Sequence, residues 1–252
     1  MKRSRSVWER KPVGAVLLIF AALIAVSIVC RVAFYRFEYD AQYYPVDYGR
    51  FNYFSYFTIQ SNLLVMLYCF FSALAVFGVR RMQWIRHPGF GLFVTTYILI
   101  TGAVYCSGFP MGLTPPLVWD TPYHCMLNSF QILHHMIMPP VMLIFWLLQG
   151  REPPLRARLL PAVGLYPLVY SLISIARGVW IKPTFFAYPF YNPEFLVNTV
   201  FPGKNAAIST GYLIMLPLLI FGIGLFILVA AILFIIHQTQ CKKRGANSDV
   251  QK

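Results

Sequence analysis

An all-α, polytopic membrane protein with six transmembrane helices is predicted from three observations. Of the 252 residues, 58% are hydrophobic and 12% charged, with a mean hydropathy of +0.62, a balance too apolar for a soluble domain. Six apolar runs reach the roughly 20 residues that a helix needs to cross a bilayer. The basic residues alternate by loop: residues 2–11, 80–86, 151–158 and 242–252, which six spans place on one side, hold 15 of the 21 lysines and arginines. Five of the eight acids, Glu38, Asp40, Asp47, Asp120 and Glu194, fall on the other side. The positive-inside rule then predicts that both termini are cytoplasmic. This segregation accounts for the net charge of +13 without a nucleic-acid partner.

The predicted spans cover about residues 13–35, 51–79, 91–108, 124–148, 162–182 and 206–236. They divide the chain into a basic cytoplasmic N-terminus (1–12), a transmembrane domain (13–236) and a polar cytoplasmic tail (237–252) expected to be disordered. The first span resembles a secretory signal in its basic start. Its apolar run is too long for one, however, and it ends in Ser27-Ile28-Val29-Cys30-Arg31 without a small-x-small cleavage site, which predicts an uncleaved helix.

Span two opens with an aromatic stretch from Phe51 to Phe57 that suits an outer membrane interface. Behind it Thr58, Ser61 and Asn62 sit at i, i+3 and i+4 and share one face, a pattern that interhelical hydrogen bonding also produces. In span three Thr95, Thr96 and Thr101 are expected to pack between helices. Residues 110–123, with Pro115-Pro116 and Trp119-Asp120, form an outer rim. Span five ends outward with Ser171, Ser174, Arg177 and Trp180; the arginine either snorkels to the interface or donates into a pocket. The stretch from Lys182 to Pro193, rich in aromatics and proline, is predicted to lie extended over the bundle mouth. Pro217 predicts a kink in span six.

Span four carries the chemistry. From Asn128 to Pro140 it reads Asn-Ser-Phe-Gln-Ile-Leu-His-His-Met-Ile-Met-Pro-Pro. Polar groups at membrane depth cost about 1–3 kcal/mol each, so such a stretch faces a pocket or pathway. His124, Asn128, Gln131 and His135 recur at intervals of four, three and four and share one face, while His134 points about a quarter-turn or more away. Pro139 and Pro140 lack N–H groups and free the carbonyls of His135 and Met136, so the helix is expected to open there. Spans two and four both run inward from the outer side. At 1.5 Å per residue, Thr58 lies ~10 Å and His135 ~16 Å below their starts, close enough to meet in the outer half of the bilayer.

No predicted span contains Asp or Glu. Carboxylate dyads, membrane-embedded Ser-His-Asp triads and carboxylate proton relays therefore lack their parts. Adjacent histidines point apart on a helix and nothing completes a coordination sphere around His124, His134 and His135, so neither a metal nor another cofactor is expected. The five cysteines form no CxxC pair; Cys106 and Cys125 lie near the outer face, but buried free thiols are the preferred reading.

Three short motifs, Tyr56-Phe57-Thr58-Ile59, His134-His135 followed by Pro139, and Tyr188-Pro189-Phe190, occur in the order seen in the androgen-induced membrane hydrolase family. The chain resembles that family over most of its length, and resembles its uncharacterised bacterial six-span relatives more closely. The resemblance implies a six-span hydrolase of fatty acid esters of hydroxy fatty acids, with a threonine nucleophile and a histidine. Thr58 matches the threonine; either His134 or His135 matches the histidine, and helical phase favours His135. A base that titrates near neutrality activates a hydroxyl that is otherwise a weak nucleophile. Ser61, Asn62 or Arg177 would donate to an oxyanion, Asn128 or Gln131 would orient the imidazole, and Tyr188 would line the substrate site just beyond. The expected partner is a membrane lipid or acyl ester entering from the outer leaflet, in the plasma membrane. A non-catalytic transporter or lipid-binding protein is the competing reading.

Overall fold

Backbone N–H and C=O groups in hydrocarbon must pair within their own segment, which makes each apolar run a helix. The computed structural model describes residues 11–37, 46–111, 114, 116–148, 154–181, 183–203 and 207–249; the basic residues before Lys11 lie outside them. The helices are α1 (Lys11–Ala33), α2 (Phe57–Val76), α3 (Pro88–Gly108), α4 (Pro122–Leu148), α5 (Leu159–Trp180), α6 (Pro193–Val200) and α7 (Ile208–Asp249). All but α6 are long and apolar enough to cross a membrane, and an even number of crossings leaves both ends on the same side. No strand occurs among the described residues.

Helix α3 is the hub, packing against α2, α4 and α7, while α1 lies on α2 and both α5 and α6 lie on α7. One core gathers Leu17, Ile24, Val65, Ile98, Met138 and Met142 between α1, α2, α3 and α4. A second gathers Tyr97, Trp146, Val163, Tyr170, Phe226 and Leu233 towards α5 and α7. Lipid is as apolar as these side chains, so close packing and interhelical hydrogen bonds hold the spans together. Gly102 lets α3 approach α4 closely. A Cβ there would stand 2.6 Å from Pro139 Cγ and 2.7 Å from the His135 carbonyl oxygen.

The described structure departs from the sequence expectations at four places. Span two does not start at Phe51: Arg50–Ser55 forms a 3-10 turn, Tyr56 is extended at φ −82°, ψ 133°, and α2 begins at Phe57. The stretch after Lys182 is not extended throughout, because Pro189–Tyr191 coils into a 3-10 turn and α6 follows. Asn192-Pro193-Glu194 was the legible signal for α6. The Asn192 side chain accepts from the N–H groups of Glu194 and Phe195, and proline is pre-organised for the first helical position. Helix α7, with Pro217 inside it, runs past residue 236 to Asp249, so residues 237–249 are helical rather than disordered. That extension holds glutamine, lysine and arginine and meets no glycine before Gly245. The five cysteines are free thiols, but of them only Cys69 is buried; Cys30, Cys125 and Cys241 are partly exposed and Cys106 is exposed.

Candidate active site

A helix leaves its first four N–H groups without intrahelical partners, and at membrane depth each needs one. In α2 the N–H groups of Ile59 and Gln60 bond the Tyr56 carbonyl at 3.0 and 3.2 Å. Phe57 N–H donates to the Tyr170 hydroxyl at 3.0 Å and Thr58 N–H to the Tyr188 hydroxyl at 3.2 Å. Tyr170 passes its own proton to the Ser55 carbonyl at 2.8 Å. Two tyrosines from outside α2 thus cap it, and Thr58 stands as its second residue.

Helix α4 is α-helical to Ile132, widens into a π-turn over Leu133–Ile137, and resumes at Met138. The two prolines are the physical cause: with no N–H at 139 or 140 the ladder cannot close normally, and the Met138 N–H reaches back five residues to the Leu133 carbonyl. The widened turn presents His134 and His135 to different neighbours, and they are 1% and 6% exposed.

His135 Nε2 lies 3.3 Å from Thr58 Oγ1, and His135 Nδ1 lies 3.0 Å from the Gln131 carbonyl oxygen. A carbonyl only accepts, so Nδ1 carries the proton and the Nε2 lone pair faces the threonine hydroxyl, which donates to it. The imidazole also stacks on Tyr105, with ring centroids 3.7 Å apart and planes 14° from parallel. His134 is committed elsewhere. Ser27 Oγ donates to the Ile24 carbonyl at 2.7 Å, so the contact of 2.7 Å between His134 Nε2 and Ser27 Oγ has the histidine as donor. His134 joins α4 to α1, and only His135 meets Thr58.

The other sequence candidates fall into place around this pair, several with changed roles. Ser61 and Asn62 share the face of Thr58 and turn back towards its carbonyl. Ser61 Oγ contacts the Thr58 carbonyl and Thr101 Oγ1, each at 2.9 Å. Asn62 Nδ2 donates to the Thr58 carbonyl at 2.9 Å and more distantly, at 3.5 Å, to the His134 carbonyl, whose ordinary helical partner the π-turn has redirected. Both are fully buried and brace Thr58 from beneath. Gln131 orients the imidazole through its backbone, not its side chain. Asn128 bonds the Val118 carbonyl, and His124 bonds Asp120, holding that carboxyl below its usual range; both belong to the rim.

Arg177 donates to Ser55 Oγ and, at 2.7 Å, to Asn52 Oδ1, with its guanidinium 4.5 Å from the Phe185 ring centroid. Neither a snorkelling residue nor a donor at Thr58, it ties α5 to the turn preceding α2. The Tyr188 hydroxyl lies 3.4 Å from Thr58 Oγ1. The strap that carries it is seated by Phe186, whose ring lies so near Gly178 that a Cβ there would come within 2.1 Å.

Tyr105, Tyr170, Ser27 and the Gln131 carbonyl were not singled out in the sequence. Only Tyr170 left a trace, one turn before Ser174 on the face that ends in Arg177. His124, His134 and His135 face three different partners, Asp120, Ser27 and Thr58, so they do not converge on a common point. What converges is a hydroxyl with a base behind it, the arrangement that turns threonine into a nucleophile. No family model, curated protein or solved structure matches this chain.

Proposed function

We propose that this protein is an integral-membrane lipid ester hydrolase in which Thr58 is the nucleophile and His135 the general base. The observation that carries the reading is the 3.3 Å contact of Thr58 Oγ1 with an imidazole nitrogen whose tautomer is fixed by the Gln131 carbonyl. In the first half-reaction Oγ1 bonds the ester carbonyl carbon and its proton passes to His135 Nε2. The tetrahedral intermediate collapses, the C–O bond to the alcohol breaks, and the leaving oxygen takes the proton back from Nε2. Water then attacks the acyl-threonine by the same route, giving the fatty acid and restoring both residues. A neutral carbonyl behind the imidazole stabilises the imidazolium less than a carboxylate would, yet it supplies orientation.

The resemblance to the androgen-induced membrane hydrolases supports the same assignment and suggests a fatty acyl ester as substrate. The basic loops argue for a site in the outer half of the bilayer, reached laterally by an acyl chain from the outer leaflet of a plasma membrane. Purified full-length protein is expected to label covalently with a fluorophosphonate probe, and Thr58→Ala to abolish the labelling. Wild type that does not label, or an unchanged Thr58→Ala, would leave a transporter or lipid-binding protein as the better reading. Topology has its own test, cysteine-accessibility labelling of single substitutions in intact cells. Asp47, Trp119 and Asn192 positions are expected to react from outside, and Arg81 and Arg156 positions only after permeabilisation; the reverse pattern would invert the assigned side of access.

A further inference from the structure

An acyl transfer needs donors aimed at the oxygen where negative charge develops. The groups the sequence suggested for this task are spent: Ser61 and Asn62 on the Thr58 carbonyl, Arg177 on Ser55 and Asn52. The geometry points to the Tyr188 hydroxyl as the oxyanion donor, an assignment that rests on the Thr58–His135 reading.

The Tyr188 oxygen accepts the Thr58 N–H at 3.2 Å; its own O–H is within reach of the neighbouring Tyr170 hydroxyl and of the reacting side, where Thr58 Oγ1 lies 3.4 Å away. A carbonyl carbon bonded to Oγ1 carries its oxygen into the reach of that hydroxyl. The ring is held on several sides: parallel to Phe190 at 5.2 Å, and edge-on to Tyr56 and Tyr191 at 6.0 Å each. The donor is thus aimed before substrate arrives, and aiming in advance is what makes such a donor effective. Desolvation raises the Tyr188 hydroxyl above its ordinary value, so it stays protonated at neutral pH. The positive end of the α2 dipole falls on the same spot.

When Oγ1 attacks, the carbonyl π pair moves onto oxygen, and the Tyr188 O–H donates to it while its oxygen keeps the Thr58 N–H. No proton is transferred in this contact. The pair returns as the alcohol leaves. The strap thereby contributes a catalytic residue instead of a rim.

The test uses detergent-purified full-length protein and 4-methylumbelliferyl decanoate. Tyr188→Phe is expected to lower kcat about 10²–10³-fold with KM little changed. Tyr48→Phe, which deletes a hydroxyl that holds the same strap through the Thr184 carbonyl, away from Thr58, is expected to hold kcat within about threefold of wild type. A Tyr188→Phe rate that near to wild type, alongside an inactive Thr58→Ala, overturns this assignment and leaves the dyad standing. An active Thr58→Ala, or wild type inert to both ester and fluorophosphonate, removes the reading beneath it.

If Tyr188→Phe fails to fold, 3,5-difluorotyrosine incorporated at position 188 preserves the shape and ionises at lower pH. The other ionisable groups around it are Tyr56, Tyr166, Tyr170, Tyr191 and, across Thr58, His135. Since a phenolate cannot donate, the alkaline limb of the kcat profile is expected to move to lower pH. An unmoved limb overturns the assignment.

Discussion

His135→Gln is expected to slow ester turnover by about 10²–10⁴-fold, the usual worth of a positioned general base, and to suppress fluorophosphonate labelling of Thr58. Glutamine fills much of the same space beneath Tyr105 but cannot take a proton from Oγ1. The informative control is the adjacent residue. His134→Gln weakens the contact with Ser27, at a cost of about 1–3 kcal/mol in stability, and leaves the nucleophile with its base. Initial rates with 4-methylumbelliferyl decanoate, read beside thermal melting in detergent, separate the two. Equal losses of rate in both variants, or none in His135→Gln, would contradict the assignment of the base.

Gly102→Ala is expected to be almost as damaging although residue 102 touches no substrate. The added methyl would stand 2.7 Å from the His135 carbonyl oxygen and 2.6 Å from Pro139 Cγ. A backbone oxygen cannot swing aside as a side-chain tip can, so α4 must back away from α3 at the π-turn. Overpacking of this kind costs about 1–3 kcal/mol, and a misplacement of about 1 Å at a reacting pair costs about 10²-fold in rate. Melting temperature and kcat should fall together. A variant with unchanged kcat would mean that the Thr58–His135 distance does not depend on the packing of α3 against α4.

The six spans were legible because the period and length of apolar runs record the bilayer itself. The grouping of Thr58, Ser61 and Asn62 was legible from helical spacing, but not the direction in which they bond: Ser61 and Asn62 turn back to the carbonyl of Thr58, a local preference of short polar side chains. The stripe through His124, Asn128, Gln131 and His135 assumed one rotation per residue throughout. A π-turn at Leu133–Ile137 breaks that phase between the third and fourth members, so the rim residues and His135 part company. Pro139 foretold an opening, and the opening took the form of a wider turn instead of a gap. The start of α2 was hidden because an aromatic 3-10 turn and a helix have the same composition. Capping of α2 by Tyr170 and Tyr188 was invisible, since donors and acceptors more than 110 residues apart leave no local signature.

The Ser27–His134 pair bears on how the molecule is made. Helix α1 is synthesised and inserted before α4, with two spans between them. During that interval Ser27 is not an orphan in hydrocarbon, because its hydroxyl already bonds the Ile24 carbonyl within α1. Its remaining lone pairs await a donor that only a later span supplies. Helix α1 therefore can wait in the membrane as a self-sufficient segment packed on α2, and His134 completes the hydrogen bonding of Ser27 when α4 arrives. A polar group of an earlier span is thus satisfied by a later one, and the histidine that does so adjoins the proposed base.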